Sequence, residues 1–344
     1  MVLLDRMNRT CKAAGVTQEA GQGDATNLPE SGNNMGNADS LARVSTPAIQ
    51  SAPDTNDGMS SKEMSAQSRL RTGIALMLSS SISNQVGASF GAMAFSSIGP
   101  MGVVAIRQFI TAAVLLPLVR PRFRGLGSKR WLLVTGLAVV FSVMNLCLYA
   151  AVERIGLGLA VTLEFLGPLA VAIASSRRRL DFGCALLAGI GVVVLTNPGP
   201  SADVVGISLA LIAATAWGCY ILLNRSIGAQ LPGLEGTALA SGISAMVWIP
   251  VAAWWFTTHE VTITALGLAA TCGVLSSIVP YVADLSALRY VPAHVFGTFT
   301  SVNPVWAALA GWLLLGQILE VNEWVGIALI VASNAVVVWR SRAR

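Results

Sequence analysis

Charge is scarce in this chain. Of its 344 residues only 11% are charged and 54% are hydrophobic, against roughly 25% charged in a soluble globular domain. So few ionic groups cannot cover a water-facing surface, and the composition points to an integral membrane protein. Histidine is almost missing: His259 and His294 are the only two, too few and too far apart for an H-E-x-x-H zinc site. The five cysteines, Cys11, Cys147, Cys184, Cys219 and Cys272, include no C-x-x-C pair. Four of them fall inside apolar runs, which suits inert small side chains better than a disulfide or a metal site. The stretch GLGSKR at 125–130 lacks the G-x-x-x-x-G-K-[ST] spacing of a phosphate loop and lies between apolar runs. No enzymatic signature and no cofactor site follow, so any transport would draw on an ion gradient or on the solute's own gradient. The start, MVLLDRMNRTCK, is broken by Asp5, Arg6 and Arg9 and has no apolar core of a secretory signal.

Hydrophobic runs supply what is present. Windows of about 19 residues mark ten candidate spans, roughly 73–94, 101–119, 131–150, 157–175, 182–197, 205–223, 237–256, 262–287, 293–315 and 321–339, each near the ~20 residues that cross a bilayer. Apolar runs in lipid must pair their own backbone, so these are expected to be helices and the protein all-α. Residues 1–70 are a different material, rich in Gly, Ser, Asn and Asp, and are expected to be a disordered tail; translation beginning at Met59 or Met64 is the alternative. The net charge of +5 comes in short clusters between the runs. That distribution marks topology and calls for no nucleic acid. Arg69 and Arg71, Arg120 to Arg130, Arg177 to Arg179, Arg225, Arg289 and the C-terminal arginines fall on one side of a ten-span arrangement, with Arg154 alone opposite. The positive-inside rule makes both termini cytoplasmic.

The two halves repeat. A shift of 136 residues lays 151–170, AVERIGLGLAVTLEFLGPLA, on 287–306, ALRYVPAHVFGTFTSVNPVW, and matches Ala151 with Ala287, Thr162 with Thr298 and Pro168 with Pro304. Five spans is an odd number, so the copies, 71–198 and 199–344, are expected to be inverted. Inverted repeats with proline-broken helices at matching places imply a carrier with its site near the membrane midplane.

Ionisable groups inside such runs cost about 2.5–3.5 kcal/mol each and need a reason. Glu164 and Arg107 are the main two, either an ion pair between neighbouring helices or separate contacts: Glu164 for an ammonium or a proton, Arg107 for a carboxylate. Ser277, Tyr281 and Asp284 share one helical face; Asp284 either faces the bundle interior or pairs with Arg289 at the interface. His294, with Thr298 and Ser301, makes a similar stripe near the interface. Asn145 and Tyr149 share a face, as do Trp217, Tyr220 and Asn224, for helix–helix bonds or for a ligand. Pro168 and Pro304 are expected helix breaks. Ser83, Gly87 and Gly91 repeat at the spacing that lets helices pack closely.

The segments NQVGASFGAMAF (84–95), EFLGPLAVAIASSRRRLDF (164–182), VPYVADLSALRYVP (279–292) and FGTFTSVNPVWAALAG (296–311) resemble the EamA-type drug/metabolite transporters. The likeness is strongest to the threonine/homoserine exporter branch and covers about residues 70–340. It implies an inner-membrane, proton-driven exporter of small amino acids, with Arg107, Glu164, Pro168, Tyr281, Asp284 and Pro304 at positions usual in the branch. Asn303 and Gln317 stand where the branch has glutamates, which leaves coupling ion and substrate open. The implied partners are a small zwitterionic solute, protons and the lipid bilayer, and a homodimer is compatible with them. The alternatives are a drug or organic-cation carrier of the same fold and a non-transporting membrane scaffold or sensor.

Overall fold

The computed structural model describes residues 61–121, 127–174, 179–197, 203–228, 230–231, 234–287, 290–291 and 299–340. The tail over 1–60, Arg122, Arg124, Arg177, Arg178, Arg289, His294, Thr298, Arg342 and Arg344 lie outside the described residues. No strand occurs among the described residues, as expected where the solvent offers no partner for a free N–H or C=O.

The helices are α1 (Ser61–Met93), α2 (Phe95–Val119), α3 (Ser128–Ile155), α4 (Leu157–Glu164), α5 (Leu166–Ala174), α6 (Arg179–Thr196), α7 (Val204–Gly228), α8 (Glu235–Trp255), α9 (Ile263–Gly273), α10 (Val279–Ala287), α11 (Asn303–Leu315) and α12 (Val321–Arg340). A five-residue π turn, Val274–Ile278, joins α9 to α10. Among the described residues, six stretches are long and apolar enough to cross a membrane: α2, α3, α4 with α5, α7, α8, and Ile263–Asp284. Shorter apolar helices cover Gly183–Thr196, Asn303–Leu315 and Val321–Val337. Helix α1 begins at Ser61, inside the stretch read as tail. Helix α2 begins at Phe95, ahead of the expected 101, because it continues through a kink at Gly99, whose φ of 63° precedes Pro100.

Prolines set the interruptions. Helix α4 stops at Glu164 and α5 restarts at Leu166, because Pro168 has no N–H to give the Glu164 carbonyl four residues back. Pro304 lies in the first turn of α11, where a missing N–H is harmless. The Pro168 break therefore falls within a span, and ahead of Pro304 a turn at 301–302 separates α11 from the helical residues 299–300.

Helix α3 lies along α7, and α1 along α9, the π turn and α10; α2 pairs with α8, α6 with α12, and α4 with α11. The Ser83–Gly87–Gly91 stripe is the seam between α1 and its partners. A Cβ on Gly87 would lie 2.7 Å from Leu275 Cβ and 2.8 Å from the Ser276 nitrogen. Only glycine lets the two backbones come this close. Ser83 Oγ then donates to the Leu275 carbonyl at 2.8 Å. Leu157, Ala160 and Leu163 of α4 pack on Ala307 and Ala308 of α11 and on Ile327 and Ile330 of α12. Large apolar side chains such as Leu132, Val193, Met246 and Leu313 remain exposed, forming an outer surface suited to acyl chains.

Candidate functional site

A cavity of about 440 Å³ lies between α1, α2, α3, the α4–α5 break, α7, the π turn, α10 and α11. Its lining includes Arg107, Asn145, Tyr149, Glu164, Trp217, Tyr281 and Asp284. Those seven came from five separate apolar runs, and the fold brings them together. Pro168 also lines the cavity, whereas Pro304 does not.

Arg107 is the best-held of these groups. Its Nε donates to Ser277 Oγ at 3.0 Å, its Nη1 to Tyr149 OH at 3.1 Å and its Nη2 to the Ser276 carbonyl at 3.1 Å. The guanidinium carbon also lies 5.4 Å from the Tyr149 ring centroid, within cation–π range. A guanidinium has five N–H donors, so one N–H on each terminal nitrogen is left over. Tyr149, 1% exposed, is itself fixed by a 3.0 Å hydrogen bond with Cys272 Sγ. A cysteine expected to be inert thus helps to orient the tyrosine.

Glu164 is only 6% exposed, yet among the described residues no hydrogen bond or ion pair holds its carboxylate. The ion pair with Arg107, one of the two readings open from sequence, is not formed: the arginine is bonded to serines and a tyrosine instead. The backbone break at Phe165 places Glu164 at the last position of α4. Trp217 packs edge-on against Phe165, ring centroids 4.7 Å apart, and braces that break.

The other members are tied to their surroundings. Asn145, 1% exposed, donates to the Phe141 carbonyl one turn back at 2.7 Å. The Tyr220 hydroxyl meets Asn224 and Tyr281. The Asp284 carboxylate lies against the Ser80 hydroxyl; its suggested partner Arg289 is outside the described residues.

Several cavity residues were not singled out from the sequence. Ser80, Ser81, Asn84 and Gln85 of α1 line the wall beside Asp284. Their spacing, two pairs four apart, was the available signal of one polar helical face. Gln85 is 2% exposed and its Oε1 has no hydrogen-bond partner, nor has Asn303 Oδ1. Buried acceptors left unpaired each cost about 1–3 kcal/mol. Gln317 lies elsewhere: its Oε1 accepts from the Leu157 nitrogen at 2.9 Å and caps the start of α4. There a glutamine makes the bond that a glutamate would, without the charge.

In the last turn of α3, Arg154 pairs with Asp203 at 3.0 Å. Asp203 also accepts from the Gly206 nitrogen at 2.8 Å. That backbone bond first, and then Arg154, hold its carboxyl below the usual carboxylate range.

The cavity thus holds spare N–H donors of one cation, an unpaired carboxylate, neutral oxygen acceptors and aromatic rings in one lining. A small molecule carrying both a carboxylate and an ammonium matches that division.

Comparison with known proteins agrees in kind. The EamA-like transporter family matches residues 204–339. The threonine/homoserine exporter RhtA of Escherichia coli (strain K12) is 32% identical over 271 residues, 76% of this chain and 89% of that protein. RhtA of Salmonella typhimurium (strain LT2) is 35% identical over 273 residues, with the same coverage of 76% and 89%. The uncharacterized transporter YwfM of Bacillus subtilis (strain 168) is 25% identical over 256 residues, 72% of this chain and 86% of that one. A crystal structure with 20% identity superposes with a TM-score of 0.52 over 80% of this chain and 99% of that chain, a likeness that bears on the fold alone.

Proposed function

Because the chain belongs to the EamA-like transporter family, we propose that this multi-pass inner-membrane protein exports a small zwitterionic amino acid such as threonine or homoserine. One observation carries the reading: Arg107 with two unused N–H groups and Glu164 with no partner share one cavity. The solute carboxylate takes the arginine fork, and its ammonium takes Glu164. The name of the Escherichia coli and Salmonella relatives supports the substrate class.

Alternating access by two inverted five-span repeats completes the proposal, with both termini cytoplasmic and export driven by protons. Counting α4 with α5 as one span, and α9 through α10 as another, gives ten spans. Displacement by five spans then turns the α3–α7 neighbours into the pair formed by α9–α10 and α1. The pairs α2–α8, α4–α11 and α6–α12 each turn into themselves, and all these contacts are present. That interchange supports the repeat. For proton coupling, Glu164 and Asp284 are the two carboxylates on the cavity wall.

Proteoliposome counterflow tests the reading. Labelled threonine and homoserine are expected to exchange, faster with a pH gradient, and a labelled cationic dye is not, because Arg107 repels it. Exchange of the dye with no movement of either amino acid overturns the substrate class. Absence of all three fluxes in folded protein overturns the transporter reading.

A further inference from the structure

Pro280 lines the cavity and has no backbone N–H. In a regular α-helix that N–H would reach the carbonyl of Ser276, four residues back; in π register it would reach Leu275, five back. Both carbonyls accept side-chain donors from other helices. Leu275 accepts from Ser83 Oγ at 2.8 Å, and Ser276 accepts from Arg107 Nη2 at 3.1 Å. The helix next to them has the wider spacing: the Val279 nitrogen bonds to the Val274 carbonyl. On the same turn Ser277 Oγ receives Arg107 Nε at 3.0 Å. One backbone carbonyl and one hydroxyl from successive residues therefore grip adjacent nitrogens of the guanidinium.

We propose that Pro280, with the π turn before it, is a positioning element for Arg107: it removes the N–H that in α register would compete for the Ser276 carbonyl, so that the carbonyl holds the arginine ready for a solute carboxylate. This rests on the reading of Arg107 as the carboxylate contact. The physical case is one of competition. Were an N–H available at position 280, the Ser276 carbonyl would have a local partner at almost no entropic cost, and the arginine would have to share that acceptor. With proline there, that α-register competitor is gone, and pairing the buried carbonyl with Arg107 is favoured. The guanidinium is therefore set before the solute arrives, which lowers the ordering cost of binding. The grip also reaches α1, because Ser276 Oγ donates to the Asn84 carbonyl at 2.8 Å and Ser83 closes on Leu275. Hydrogen bonds thus join the arginine anchor to the polar wall of α1.

The test is Pro280→Ala in the purified full-length protein, with two readouts. Binding of L-threonine is expected to weaken about tenfold, as for loss of one charge-assisted hydrogen bond, while the melting temperature holds or rises because a helical N–H is restored. A proline needed only for fold would instead lower the melting temperature. The second readout needs no solute: modification of Arg107 by phenylglyoxal, followed by peptide mass spectrometry, is expected to speed up about tenfold in Pro280→Ala. Unchanged threonine affinity together with unchanged Arg107 modification overturns the proposal. If the wild-type protein binds no threonine, the substrate reading falls, and the modification rate alone decides this proposal. Should Pro280→Ala fail to fold, Ser277→Ala is expected to free the arginine to the same degree and Ser277→Thr to keep it held; equal modification in those two variants overturns it.

Discussion

Replacing Glu164 by glutamine separates a binding carboxylate from a structural one. The side chain is 6% exposed and its carboxylate has no partner among the described residues, so the amide, of nearly equal size, breaks no bond in the protein. An unpaired buried charge costs several kcal/mol; a neutral group there should leave the melting temperature unchanged or raise it. The solute, by contrast, loses a charge-assisted contact worth about 1.5–3 kcal/mol, or about 10- to 100-fold in affinity. Arg107→Ala gives the opposite pattern in stability. It removes three hydrogen bonds and takes the side-chain donor from the Ser276 carbonyl, at about 1–3 kcal/mol. The assay pairs thermal unfolding followed by tryptophan fluorescence with threonine binding and counterflow in the same preparations. Both variants are expected to lose flux; only Arg107→Ala should melt early. Glutamine also mimics the protonated acid, so any residual flux in Glu164→Gln should no longer respond to a pH gradient if this carboxyl carries the proton. Threonine counterflow at the wild-type rate and pH response in folded Glu164→Gln would refute the assignment. Early melting would show that the carboxylate has a structural partner after all.

Other outcomes follow from single contacts. Gly87→Ala places a methyl group against Leu275 and the Ser276 nitrogen and should destabilise by about 1–3 kcal/mol, the usual cost of overpacking, read as a lower melting temperature. Gln317→Ala removes the cap on the Leu157 nitrogen and should cost about 0.5–2 kcal/mol; Gln317→Glu keeps the acceptor and should restore the melting temperature. Asp203, held below the usual carboxylate range by Gly206 and then Arg154, contributes stability above its unfolded pKa of about 3.9. That contribution disappears as pH falls through the lower folded value. The difference in melting temperature between wild type and Asp203→Asn should therefore be flat from about pH 5 to 8 and shrink only below about pH 4.

The sequence alone determined the helices and most of the cavity's members, for one reason: lipid penalises every unpaired backbone group and every charge. Apolar runs therefore become helices, and the rare polar residues in them, such as Arg107, Glu164 and Asp284, mark the wall they converge on. The seam of Ser83, Gly87 and Gly91 was legible from its four-residue period. Hydropathy windows could not read how a helix departs from its own period. The α4–α5 break falls at Phe165, three residues before Pro168. At the π turn Pro280 withdraws an N–H, while Ser83 and Arg107, 192 and 169 residues away in the chain, donate to its carbonyls. The two readings of Glu164 and Arg107 also could not be separated along the chain. Which group bonds to which is settled by distances between helices remote in sequence, and those distances gave Arg107 to the π turn and left Glu164 unpaired.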